Sequence, residues 1–173
     1  MATDAAHTRW WQIFEVIFGL PFVAAIALHW LVPFTLPRGR LTPLIIAGGL
    51  LLIGAGVALV ILARRGFARR GQPTDPGRPT GAIITTGVFA LSRNPLYLGG
   101  VCVLAGLALV LNVPWVLVLL LPAISACHVL LIAPEERYLA AKFGAAYRAY
   151  TASVPRWIGV RRRGGGSVEG AGG

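Results

Sequence analysis

LTPLIIAGGLLLIGAGVALVILARRGFARR, residues 41–70, decides how the rest of the chain is read. From Leu41 to Ala63 it holds almost nothing but Leu, Ile, Val, Ala and Gly, and then it turns abruptly to arginine. About 20 apolar residues in a helix match a hydrocarbon core of roughly 30 Å, so this stretch predicts a transmembrane helix. Gly48, Gly49, Gly54 and Gly56 leave room for a neighbouring helix to come close. Arg64, Arg65, Arg69 and Arg70 stand where charges flank a span on its positive side.

Toward the N-terminus, a second apolar run from Trp11 to Val32 predicts another span, with Trp10, Trp11 and Trp30 at its ends, where indole rings favour the interface. The opening MATDAAHTRWW lacks the basic start and short apolar core of a cleaved leader, so this run reads as a retained helix. Pro33, Pro37 and the stretch from Arg38 to Arg40 make the short loop between the two spans. Toward the C-terminus, Pro73, Pro76 and Pro79 forbid a continuous helix between residues 64 and 94, a segment that also holds Arg78, Arg93 and one acid, Asp75. A connection this long without regular structure is usually functional or disordered.

Apolar residues return from Leu96 to Ala133, too long for one crossing, and Asn112 and Pro114 divide them into a hairpin of two spans. Beyond Pro134, EERYLAAKFGAAYRAYTASV sets Tyr138, Leu139, Phe143, Tyr147 and Tyr150 against Arg137, Lys142 and Arg148, as in a helix lying at the interface. The tail, residues 161–173, is expected to be disordered. The expected fold is therefore an all-α integral membrane protein of about four transmembrane helices plus a C-terminal interfacial amphipathic helix. Its parts are residues 1–63 with two spans, a core at residues 64–160, and the tail at residues 161–173.

Composition agrees. Of 173 residues only 13% are charged and 56% are apolar, too little polar surface for a water-soluble domain. The net charge of +10 does not point to nucleic acid, because the basic residues lie between apolar runs. With four spans, all but two of the 16 Lys and Arg fall on one side, which predicts a cytoplasmic N-terminus, C-terminus and 64–95 loop. Cys102 and Cys127 lie within apolar runs and suggest no disulfide framework. His29 and His128 have no metal-ligand spacing, so no metal is expected.

Three features could carry chemistry: residues 81–100 (GAIITTGVFALSRNPLYLGG), the pair Glu135–Glu136, and KFGAAYRAY at 142–150. Each has an ordinary structural explanation. Asn94 and Pro95 suit the cap and first turn of a helix, Arg93 suits a snorkelling charge, and Tyr97 suits the aromatic belt. The two glutamates suit the first turn of the last helix. Yet carboxylates beside a membrane segment are costly and usually serve a partner or a site. Glu15, inside the first span, reads as structural, pairing with Arg9 or reaching the interface.

Taken together, TTGVFALSRNPLYLGG (85–100), the apolar hairpin, EERYLAAKFGAAYRAY (135–150) and VPRWI (154–158) resemble the isoprenylcysteine carboxyl methyltransferase and phospholipid methyltransferase superfamily. The resemblance covers roughly residues 72–158; the first two spans match it only in hydropathy. It implies a membrane enzyme that moves a methyl group from S-adenosylmethionine to a lipid or lipid-linked acceptor. It also implies that the family's Arg-His-Pro-x-Tyr block falls on Arg93, Asn94, Pro95, Leu96 and Tyr97. The cofactor-lining stretch then falls on Gly81, Ala82, Ile83, Ile84 and Phe89, and the cofactor-holding acid on Glu135, with Glu136 beside it. Arg93, Asn94 and Glu135 would be the residues closest to the chemistry.

Two departures matter. Asn94 stands where the family has a histidine, which removes a proton-transfer group. Leu131 stands where the eukaryotic prenylcysteine enzymes place a substrate-carboxylate arginine, so a prenylcysteine carboxylate is not the expected acceptor. Two other classes share parts of the pattern: an NADPH-dependent membrane reductase of the sterol reductase type, and a non-catalytic membrane protein that has kept the fold.

Overall fold

A chain surrounded by lipid has no solvent to satisfy its peptide groups, so helices are the natural solution for long apolar runs. The computed structural model describes residues 14–37, 39–71 and 81–159, and among these every regular element is helical. Trp10, Trp11, Arg9, Arg38, Pro73, Asp75, Pro76, Arg78, Pro79 and the 161–173 tail lie outside the described residues.

Helix α1 (Phe14–Leu31) is followed by α2 (Thr42–Ala68), a 3₁₀ turn (Gly87–Ala90), α3 (Pro95–Leu111) and α4 (Pro114–Cys127). A π-helical turn, His128–Ile132, then runs without a break into α5 (Ala133–Phe143), and α6 (Ala145–Ser153) closes the chain. Two of these helices are long and apolar enough to cross a membrane: α2, with 27 residues, and the continuous helix Pro114–Phe143, with 30. Helices α1 and α3 are equally apolar but shorter, 17 residues in α3. The outer face of α2 exposes Leu44, Leu50, Leu51, Val57 and Leu62, an apolar surface that water does not tolerate but lipid does.

Neighbouring helices run antiparallel in the order α2, α3, α4, α1. Between α2 and α3 the contact is made of glycine. A Cβ on Gly56 would stand 2.5 Å from the Gly99 carbonyl oxygen, and one on Gly106 would stand 2.5 Å from that of Gly49. Of the four glycines read as packing residues, Gly49 and Gly56 fill that role. Gly48 and Gly54 face open space, because they lie on other sides of the helix. Helix α1 packs on α4 through Ile17, Phe18 and Ala25 against Cys127, Leu120 and Val116.

The hairpin turn falls where the sequence places it. Asn112 ends α3 in the left-handed region at φ 56°, and its side chain ties this turn to the α1–α2 loop. Its Oδ1 accepts from Leu36 N at 2.8 Å and its Nδ2 donates to Leu36 O at 3.2 Å. Asn112→Ala removes both bonds and puts a less suited residue at a positive φ, an expected loss of about 1–3 kcal/mol. A melting curve of the detergent-purified protein checks this, and Asn112→Gly, which relieves φ but not the lost bonds, should fall between the two.

The segment expected to be one interfacial helix is two helices. Gly144, at φ 53°, separates α5, which continues the long helix, from α6, which turns back over it. Glu135 and Glu136 therefore do not open a separate helix; they lie just beyond the π turn on a continuing one. Pro134 explains the irregularity, since its ring cannot sit against a regular preceding turn.

Candidate functional site

The antiparallel order brings the end of α2, the start of α3 and the end of the π turn to the same end of the bundle. A pocket of about 530 Å³, counting the space open to solvent, lies there. Its apolar wall comes from Phe67 of α2 with Ile84 and Phe89 of the following segment, and Phe67 and Phe89 meet edge to face at 5.1 Å. Arg70 anchors that segment, donating through Nη2 to Thr86 Oγ1 at 3.1 Å. Leu139, Tyr147 and Tyr150 of the C-terminal helices supply the facing wall.

The charged groups on the pocket are Arg93, Glu135 and Glu136. The two acids stand next to each other and are used in different ways. Glu136 is held by two arginines: Arg93 Nη1 lies 2.7 Å from its Oε1, while Arg156 reaches both oxygens, Nε to Oε1 at 3.0 Å and Nη2 to Oε2 at 2.5 Å. Such a two-pronged guanidinium contact is the strong form of the pair. Among the described residues, Glu135 makes only a long contact with the Tyr97 hydroxyl, which donates to its Oε2 at 3.4 Å. On the facing wall, burial and the charge of Glu136 push the Tyr147 phenol up to about 12.

Asn94 begins α3 as expected, with Pro95 in the first turn, but its side chain makes no capping hydrogen bond. The Nδ2 instead donates to the Arg156 carbonyl oxygen at 3.0 Å, and the Ser92 hydroxyl donates to the same oxygen at 3.2 Å. Arg93 N donates to Pro155 O at 3.0 Å. Residues 155–156 are thus strapped across the turn before α3. The Tyr150 hydroxyl adds a bond to Phe89 O at 2.7 Å.

Of the residues singled out in the sequence, Ala82, Ile83, Ile84, Phe89, Arg93, Asn94, Glu135 and Glu136 come together on the pocket. Gly81, Pro95, Leu96 and Tyr97 are not among its lining residues: Pro95 is fully buried at the foot of α3, and Leu96 packs toward Ala63 and Phe89. Arg93 is no snorkelling charge, since its side chain is only 12% exposed and ion-paired. Glu15, read as structural, lies in the first turn of α1 and is not among the lining residues. Leu131 is buried in the α1–α4 core at 1% exposure, away from the pocket lining. Sequence reasoning missed Arg156, Phe67 and Leu139. A signal existed for Arg156 alone, the single charge within the otherwise apolar VPRWI. Among the described residues, no three of His, Cys, Asp and Glu gather to hold a metal ion.

Fold and site define a membrane protein of packed apolar helices with a pocket at one end of the bundle. The phospholipid methyltransferase family matches residues 44–146, more than half of the chain, and the protein belongs to that family of membrane methyltransferases. The comparisons with curated proteins and with solved structures found no match. The matched region begins inside α2, which the resemblance had credited with hydropathy only, and it stops before the strap at 154–158.

Proposed function

We propose that the chain crosses the membrane four times and transfers a methyl group from S-adenosylmethionine to a lipophilic acceptor drawn from the bilayer. The observation that carries this reading is the pairing, on one pocket, of a carboxylate without a strong partner and a buried guanidinium, set between aromatic and aliphatic walls. S-adenosylmethionine presents complementary groups: an ammonium and a sulfonium, a carboxylate and a flat base. Two details favour the fit. The Nε of Arg93 is buried with no hydrogen-bond partner among the described residues, and Glu135 is a half-buried acid that a cation would compensate.

When bound, the cofactor supplies a methyl group made electrophilic by its positive sulfur. The residues of this chain hold and orient. Glu135 would take the cationic groups, Arg93 the carboxylate, and Phe67, Ile84 and Phe89 the base. Asn94 is engaged with the strap, a positioning role in place of the proton transfer a histidine could offer. Positioning and exclusion of water can supply most of the acceleration for a displacement of this kind, and no strong general base is needed.

Helices α1 and α3, each near the lower limit of spanning length, complete the four crossings. The arginines at 64, 65, 69 and 70 support a cytoplasmic pocket end, since positive residues favour that side. Residues 1–63 act as two supporting spans and residues 64–160 as the methyltransferase core. Direct titration of the detergent-purified chain with S-adenosylmethionine and with NADPH tests the reading. Saturable binding of the first is expected. NADPH binding in its place would move the protein to the reductase chemistry, and binding of neither would remove the enzyme reading while leaving the membrane fold.

A further inference from the structure

Glu136 is the one acid among the described residues held by two guanidiniums, and that arrangement sets the charge available to the pocket. If Arg93 alone neutralised Glu136, the pair would carry no net charge and Glu135 would leave the pocket negative. Arg156 changes that balance. With its two-pronged grip on Glu136, the two acids face two arginines, and the Arg93 guanidinium keeps positive charge to offer. A pocket with a negative end at Glu135 and a positive end at Arg93 suits a zwitterion.

We propose that Arg156 is a positioning residue for anion recognition: by sharing Glu136 with Arg93 it leaves the Arg93 guanidinium net positive charge with which to hold the carboxylate of an amino-acid-bearing ligand. This rests on the cofactor reading above and adds to it a residue outside the pocket lining. The strap and the charge are separable. The strap is made by main-chain atoms, Arg156 O accepting from Ser92 and Asn94 and Pro155 O accepting from Arg93 N. The charge effect is made by the side chain, which also lies 3.3 Å from His128 Nε2 and is 36% exposed. Replacing the side chain therefore leaves the strap its bonds.

The test compares equilibrium binding of S-adenosylmethionine and of its decarboxylated form to the native chain, Arg156→Gln and Arg156→Lys. The native protein should prefer the ligand with the carboxylate. Arg156→Gln should lose that preference by about tenfold, the scale of one partly screened charge at this range, while binding the decarboxylated ligand as before. Arg156→Lys keeps the charge and should keep most of the preference. An equal loss of both ligands in Arg156→Gln would show a merely structural role and overturn the proposal, as would an unchanged preference. Should Arg156→Gln not fold, loss of the preference in a folded Arg156→Lys overturns it equally. A native chain that binds both ligands alike sinks this inference and leaves the cofactor reading standing; one that binds neither sinks both.

Discussion

Replacing Glu135 with glutamine is expected to weaken S-adenosylmethionine binding by about a hundredfold or more, the cost of removing one side of a buried charge contact. The substitution preserves shape and can still accept from the Tyr97 hydroxyl, so the loss reports the charge. Isothermal titration of the native and variant chains measures it. A variant that binds as tightly as the native chain would transfer the cation-holding role away from Glu135. The contrasting substitution, Glu136→Gln, leaves Arg93 and Arg156 without their shared anion, and its expected first effect is on folding.

The second large effect is expected at Gly56. A side chain there meets the Gly99 carbonyl oxygen at 2.5 Å and Val103 N at 2.9 Å, both main-chain atoms that cannot swing aside. Gly56→Leu must push α2 off α3, at a cost of about 3 kcal/mol or more, the upper end of overpacking. The pocket should suffer with it, because α2 carries Phe67 and leads into the turn that holds Arg70, and Ala63 packs against Phe89. Gly54→Leu, two residues away, adds its side chain to open space and should melt like the native protein. Thermal unfolding followed by size-exclusion chromatography in detergent separates the two. Equal melting of both variants would show that the α2–α3 contact tolerates a wider spacing.

The elements that sequence reading locates well are those whose signal is local. An apolar run of spanning length, the Asn112–Pro114 break and the Asn94–Pro95 start of α3 each follow from a few neighbouring residues, and the helices begin and end within a few residues of those points. The candidate site was partly legible for a different reason, the resemblance of its motifs, which brought Arg93, Asn94 and Glu135 onto one pocket. Less legible was the division between Gly144's two helices. A periodic apolar stripe continues across the glycine in one dimension, and only the backbone at φ 53° turns the second half back.

The amino-acid sequence by itself determined that this chain is helical and suited to lipid, since hydropathy and helix length are properties of contiguous residues. It also determined where the charges lie along the chain, and through its motifs the family to which the protein belongs. Tertiary structure alone decided which of two adjacent glutamates is spoken for. Glu135 and Glu136 have the same chemistry and differ by one step around a helix, about 100°, which sends one toward Tyr97 and the other toward two arginines that come from positions 93 and 156. Tertiary structure likewise chose Gly49 and Gly56 over Gly48 and Gly54, because only the face turned toward α3 meets another backbone. Packing partners distant in sequence set these outcomes, and a local pattern carries no record of them.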